Sequence, residues 1–198
     1  RLRPRSLHTT RRLHRTQPDH LRPAVMIETL EDRTLLSFTV PIQNFAGQGY
    51  SFVGPPDTIG DVGISHYVQA INGTSGAKIE IYNKSDGTVA VPQFYLDTLA
   101  AGATGGTAYN GFGDPVVVYD QDADRWLLLE FEPPGAGNRL HIFISDTGVP
   151  TGNGADWTHY RFAAPSFPDY PKIGVWHDAY FIGTNDGGNS VYALPRQQ

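Results

Sequence analysis

Cysteine is absent from this chain of 198 residues. Disulfide staples and thiolate metal sites are therefore excluded, and stability must come from packing and hydrogen bonding. No run of about 18 apolar residues occurs, so no transmembrane helix is expected. Charged side chains make up only 18% of the chain. Long amphipathic stretches are scarce as well, because 22 Gly and 15 Pro cut the chain at short intervals. A chain so divided by turns favours many short strands over long helices. Aromatic residues are plentiful, with 10 Tyr, 10 Phe and 3 Trp.

The net charge of -5 hides a split. Residues 1–23 hold seven Arg and one Asp, for +6, and the remainder carries -11. An acidic body repels phosphate, so nucleic acid is not the expected partner. Residues 1–25 mix Arg, His, Thr and Pro without a sustained period and read as a disordered basic leader. In residues 26–37, Ile27, Leu30 and Leu35 fit one face of a short helix.

Residues 38–198 alternate strands and turns. Residues 38–42 read as an edge strand, since Pro41 is tolerated only at an edge or bulge. A recurring pattern follows. Gly60-Asp61-Val62-Gly63 precedes His66-Tyr67-Val68-Gln69-Ala70-Ile71-Asn72 and then Ala77-Lys78-Ile79-Glu80-Ile81-Tyr82. Gly113-Asp114-Pro115-Val116-Val117-Val118-Tyr119 precedes Arg125-Trp126-Leu127-Leu128-Leu129-Glu130-Phe131 and then Arg139-Leu140-His141-Ile142-Phe143-Ile144-Ser145. Asp169-Tyr170-Pro171-Lys172-Ile173-Gly174-Val175-Trp176 precedes Ala179-Tyr180-Phe181-Ile182-Gly183-Thr184 and Ser190-Val191-Tyr192-Ala193-Leu194.

Asp61, Asp114 and Asp169 recur at spacings of 53 and 55 residues. A period near 50 with several short strands per unit predicts an all-β fold, a β-propeller fragment of about three blades. A β-sandwich with long loops is the alternative. The apolar runs at residues 116–118 and 127–129 predict strands buried on both faces. The alternation through Lys78, Ile79, Glu80 and Ile81 predicts a half-exposed outer strand. Three blades fall short of the usual four to eight, so an arc is expected, with an open edge through which it can associate.

Two resemblances bear on placement and fold. Leu30-Glu31-Asp32-Arg33-Thr34-Leu35-Leu36-Ser37 is similar to the LEPR-XLL-type motif found near the N-terminus of many large surface or secreted proteins of planctomycetes. Asp32 stands where that motif has Pro. The resemblance implies a sorting motif of Leu30, Glu31, Asp32, Arg33, Leu35 and Leu36, and a secreted or cell-surface protein. No apolar stretch follows the basic run, as an ordinary secretory signal would require. Pro55-Pro56-Asp57-Thr58-Ile59-Gly60-Asp61-Val62-Gly63, Asp114-Pro115-Val116-Val117-Val118-Tyr119-Asp120, Asp124-Arg125-Trp126 and Asp169-Tyr170-Pro171-Lys172 resemble the blades of exported bacterial proteins with a sialidase-like propeller. Most members of that group have no established activity.

Catalytic signatures are missing. Sialidase chemistry needs an Arg triad and a Tyr/Glu pair, and Arg33, Arg125, Arg139, Arg161 and Arg196 show no triad spacing. Ser145-Asp146-Thr147-Gly148 with Trp157 is a degenerate Asp-box, a structural turn in sialidases. His66, His141, His159 and His177 lack zinc spacing. Gly102-Ala103-Thr104-Gly105-Gly106 lacks the Lys of a phosphate loop.

Two carboxylate groups remain. Asp120, Asp122 and Asp124 alternate as in a Ca²⁺ loop, but Arg125 and Phe131 occupy the EF-hand Gly and Glu positions, and Asp turn chemistry in a hairpin between Val118 and Trp126 is the favoured account of the run. Asp57, Asp61, Asp114 and Asp169 sit at strand entrances. There they either converge on a cation or polar ligand, or cap their own turns. The expected function is a non-enzymatic extracytoplasmic binding or scaffold module whose partner is a polysaccharide or surface protein. A glycan-acting hydrolase or lyase is the alternative. No cofactor is expected apart from Ca²⁺.

Overall fold

The computed structural model describes residues 41–188 and 190–196. The basic leader, the sorting motif and residues 38–40 of the expected first strand lie outside them. Pro41 and Ile42 belong to no strand.

The chain is all-β, built as three antiparallel sheets, none of which closes on itself. Sheet 1 holds β1 (Ile59–Val62), β2 (His66–Gly73), β3 (Gly76–Asn83) and β4 (Val89–Tyr95), in that spatial order. Sheet 2 holds β5 (Gly113–Asp120), β6 (Arg125–Phe131), β7 (Arg139–Ser145) and β8 (Trp157–Ala163), again in chain order. Sheet 3 holds β9 (Asp169–Val175), β10 (Ala179–Asn185) and β11 (Val191–Pro195). Among the described residues the helices are two 3-10 turns, Leu96–Ala101 and Gly154–Asp156. No helix there is long and apolar enough to cross a membrane.

Proline placement explains the strand order. Pro92 lies in β4, Pro115 in β5, Pro171 in β9 and Pro195 in β11, and all four are edge strands. A Pro has no N–H to give a neighbouring strand, so it belongs at an edge or bulge. Around Pro115 the β5–β6 register shifts between Gly113 and Val116.

Sheet 2 lies between the other two. Val117, Tyr119, Trp126, Leu128, Phe143 and Trp157 pack against Val68, Ala70, Ile79 and Ile81 of sheet 1. Their neighbours Val116, Leu129, Phe131, Leu140 and Ile142 point the other way, onto Ile173, Ile182, Tyr192 and Leu194 of sheet 3. Period-two alternation with an apolar residue at nearly every position is what a strand covered on both faces requires. Each fully buried Leu or Ile adds about 1.5–3 kcal/mol, so the middle sheet organises the fold.

The expectation for β3 needs correction. It is an interior strand, not the outer one, because β4 pairs beyond it. Lys78 and Glu80 read as exposed because they face away from sheet 2. On that outer side Phe45 packs on Tyr67 and Tyr82, and the Gln48 side chain donates to the Gln69 carbonyl at 2.8 Å. The outer face of sheet 3 has no such cover among the described residues: Trp176 is 62%, Phe181 42% and Val191 71% exposed.

Candidate functional site

β1, β5 and β9 open their sheets, and β5 touches both of the others. Their entrances gather Asp57, Asp114 and Asp169 around a cleft of about 570 Å³, with Asn72, Phe112 and Tyr170 on its walls. The backbone is left-handed at Asp57 (φ 41°) and Asp114 (φ 46°), and at Tyr170 (φ 53°) in the third sheet. Asp57, not Asp61, is thus the first-sheet counterpart of Asp114. Asp61 instead joins β1 to β5, accepting from the Tyr119 N–H at 2.8 Å and from its own neighbour Val62.

Asn72 is the hinge of the cleft. Its Nδ2 donates to Asp57 at 2.8 Å and to the Pro55 carbonyl at 3.1 Å, while its Oδ1 accepts from the Asp114 N–H at 2.8 Å. Asn72 thus links the Asp57 carboxyl to the Asp114 backbone on one side of the cleft. Burial pushes the Asp114 carboxyl up, and the neighbouring Asp57 and Asp169 push the same way. Thr58, Tyr170 and Lys172 line an adjoining hollow of about 240 Å³ that reaches the same two Asp residues. The two expectations for these aspartates therefore divide: Asp57, Asp114 and Asp169 meet at the cleft, and Asp61 caps Val62 and ties β1 to β5.

The turn 120–124 behaves differently from a Ca²⁺ loop. Asp120 is 1% exposed. Its Oδ1 accepts from the N–H groups of Asp122 and Ala123, both at 3.1 Å, which is Asx-turn chemistry. Both of its oxygens are also taken by Arg196, from Nε at 2.7 Å and Nη2 at 2.6 Å. Tyr180 adds a hydroxyl donor at 2.9 Å. Asp124 accepts from the Tyr119 hydroxyl, and Asp122 is exposed, with its carboxylate 3.9 Å from Arg196. Among the described residues no three His, Asp or Glu side chains are placed to hold a metal ion. The guanidinium occupies the place beside Asp120 that a cation would need. Millimolar Ca²⁺ or EDTA is accordingly expected to leave the thermal unfolding midpoint unchanged. A rise with Ca²⁺, followed by calorimetry, would return a cation to this turn.

The degenerate Asp-box is also held together in its own way. Asp146 is exposed. The Ser145 hydroxyl accepts from the Trp126 N–H at 2.8 Å and donates to the Thr147 carbonyl. The indoles of Trp126 and Trp157 donate to the carbonyls of Gly148 and Thr151, both at 3.0 Å.

A second polar cluster lies inside the seam between sheets 1 and 2. Glu130, His141 and His159 are at most 4% exposed. Glu130 accepts from the Ala77 N–H and the Tyr109 hydroxyl, both at 2.8 Å. Burial raises its carboxyl to about 8. A Cβ at Gly76 or Gly111 would collide with that carboxylate, so both positions must be glycine for it to fit. Sequence patterning missed this cluster. The available signal was Glu130 itself, in phase with Trp126 and Leu128 on a strand with no other charged residue after Arg125.

Comparison of the chain with protein-family models, with curated proteins and with solved structures finds no match.

Proposed function

We propose that the three sheets are successive blades of a sialidase-like β-propeller, and that the chain serves outside the cytoplasm as a non-enzymatic binding or scaffold module. The observation that carries this is the gathering of the first strands. Three meanders follow in chain order, β5 lies between β1 and β9, and their entrances bring Asp57, Asp114 and Asp169 to one cleft. First strands gathered at a centre are what a propeller arc predicts. The resemblance at residues 30–37 supports placement at the surface or in secretion. The ligand is a polysaccharide or surface protein that offers hydroxyls or amides to the carboxyl pair, with Tyr170 and Phe112 as apolar walls. The uncovered outer face of sheet 3 is the open edge through which the arc associates.

A glycan hydrolase or lyase would have to use the same carboxyls. Acid and nucleophile must flank a glycosidic bond across an open site, whereas Asn72 bonds to both Asp57 and Asp114 and ties them to one wall of the cleft. That arrangement favours binding. The test is affinity electrophoresis of the full chain through gels cast with a panel of acidic and neutral polysaccharides, with sugar release measured in parallel. Retardation by at least one polysaccharide, weakened by Asp114→Asn and without sugar release, is expected. Reducing or unsaturated sugars in the wild-type digest would replace the binding module by an enzyme.

A further inference from the structure

Residues 102–112 cross from sheet 1 to sheet 2, anchored at the far end by the Phe112 N–H, which donates to the Phe131 carbonyl at 2.9 Å, and by the Tyr109 hydroxyl on Glu130. The Thr104 N–H donates to the Trp157 carbonyl at 3.0 Å, and the His159 N–H donates to the Thr104 carbonyl at 2.8 Å. The Thr107 N–H donates to His159 Nδ1 at 3.3 Å. The Tyr109 ring lies flat on the His141 ring, with centroids 3.5 Å apart. His159 and His141 meet through Nε2 and Nδ1 at 2.9 Å, and His141 Nε2 meets Glu132 Oε1 at 3.0 Å.

Only one arrangement of protons satisfies this chain. The Thr107 amide is a donor, so His159 Nδ1 must accept and its Nε2 must carry the proton. His141 Nδ1 then accepts, and its Nε2–H donates to Glu132. Both rings are therefore neutral Nε2–H tautomers. An added proton has no free acceptor to take. Placed on His159 Nδ1, it faces the Thr107 N–H. Placed on His141 Nδ1, it forces His159 to shift its own proton to Nδ1, with the same result. Either way a donor confronts a donor at the amide of Thr107.

The surroundings oppose the charge as well. Facing His141 are Glu132 after β6, Arg139 on β7, Arg161 on β8, and Tyr109 and His159. Facing His159 are His141, Arg161, Tyr109 and the ring of Phe143 at 4.4 Å. Beyond Tyr109 lie Glu130 on β6 and Asp97 of the first 3-10 turn. Among these the contact that favours an imidazolium is Glu132, at His141, and Arg139 binds the same carboxylate at 3.1 Å.

We infer that the His159–His141–Glu132 chain is an acid-operated latch, which holds residues 102–112 on sheet 2 at neutral pH and releases them when a proton enters. Burial lowers both imidazoles, His159 to about 4, with the charges of His141 and Arg161 adding to it. A His whose folded value is depressed contributes stability above its unfolded value near 6.5 and loses it as pH falls from there toward the folded value. The latch thus opens between about pH 6.5 and pH 4.

Hydrogen exchange of the full chain at pH 7.5, 6 and 5, corrected for the intrinsic rate, tests this. Protection of peptides covering residues 102–112 is expected to fall at least tenfold from pH 7.5 to pH 5, while β2, β3 and β6 stay protected. In His159→Gln, Nε2 donates and Oε1 accepts as in the neutral ring, so protection at pH 7.5 is retained and the acid loss shrinks to the part that His141 carries. An equal loss in His159→Gln, or a loss spread evenly over the sheets, overturns the latch. So does a His159 ring found as the Nδ1–H tautomer at pH 7.5 by ¹⁵N NMR of the wild type, a readout that needs no variant to fold.

Discussion

Replacing Asp120 by Ala is expected to destabilise the chain by about 3–5 kcal/mol, the usual cost of leaving one half of a buried ion pair behind. Asp120 is the point where sheets 2 and 3 are tied by charge. It closes the β5–β6 turn through two backbone N–H groups, receives the Tyr180 hydroxyl from β10 and is held in a two-pronged grip by Arg196, just past β11. Sheet 3 has three strands and packs on sheet 2 with one face only, so it has little else to replace that anchor. Burial lifts the Tyr180 hydroxyl to about 12, and Asp120 pushes it the same way, in keeping with a dry contact. Chemical denaturation followed by circular dichroism measures the loss, and exchange measurements should show β9, β10 and β11 opening before the rest. A cost under about 1 kcal/mol would mean that the pair is no stronger than a surface salt bridge and that apolar packing alone docks sheet 3.

Glu130→Gln is expected to stabilise the chain at alkaline pH. A carboxyl whose folded value is raised holds its full stability below the unfolded value and loses it as pH rises through the folded one. For Glu130 that window runs from about pH 4.5 to about pH 8. Each pH unit between those two values is worth about 1.4 kcal/mol, so the wild type loses roughly 3–5 kcal/mol by pH 9. A Gln amide offers an acceptor oxygen and an NH₂ donor where the protonated acid has its O–H, so it can serve both the Ala77 N–H and Tyr109 without titrating. The variant should match the wild type near pH 4.5 and exceed it by at least about 2 kcal/mol at pH 9, measured by urea denaturation at both values. Equal pH profiles for the two proteins would show that Glu130 is ionised in the fold and that Tyr109 and Ala77 compensate its charge. With the histidine pair losing stability in acid and Glu130 losing it in base, the wild type should be most stable between those limbs.

Local pattern alone determined a good part of this chain. β6 and β7 fall on the residues where alternation and turns place them, and β2, β3, β5, β9, β10 and β11 differ from the expected spans by a few end residues. The double-sided burial of residues 116–118 and 127–129 was also legible, because a strand covered on both faces has no polar phase to show. β4 and β8 were not. Val89–Tyr95 carries Pro92 and an exposed face, and Trp157–Ala163 carries His159 and Arg161, so neither reads as apolar without knowing what lies opposite.

The tertiary structure decided everything that depends on partners distant in the chain. Asp120, Asp122 and Asp124 look like cation ligands until Arg196, from the far end of the described chain, claims Asp120. Asp57 precedes β1 and Asp61 lies within it, yet the left-handed backbone and the contact with Asn72 send Asp57 into the cleft, while Asp61 turns to Tyr119. Glu130, His141 and His159 each read as an isolated polar residue in a strand. They become one cluster because neighbouring strands bring His141 and His159 within hydrogen-bond reach, and Tyr109, stacked on His141 and bonded to Glu130, joins the third. The physical reason is range: side-chain periodicity and turn propensity are set by residues a few positions apart, whereas charge pairing and proton placement depend on which strands the fold brings side by side.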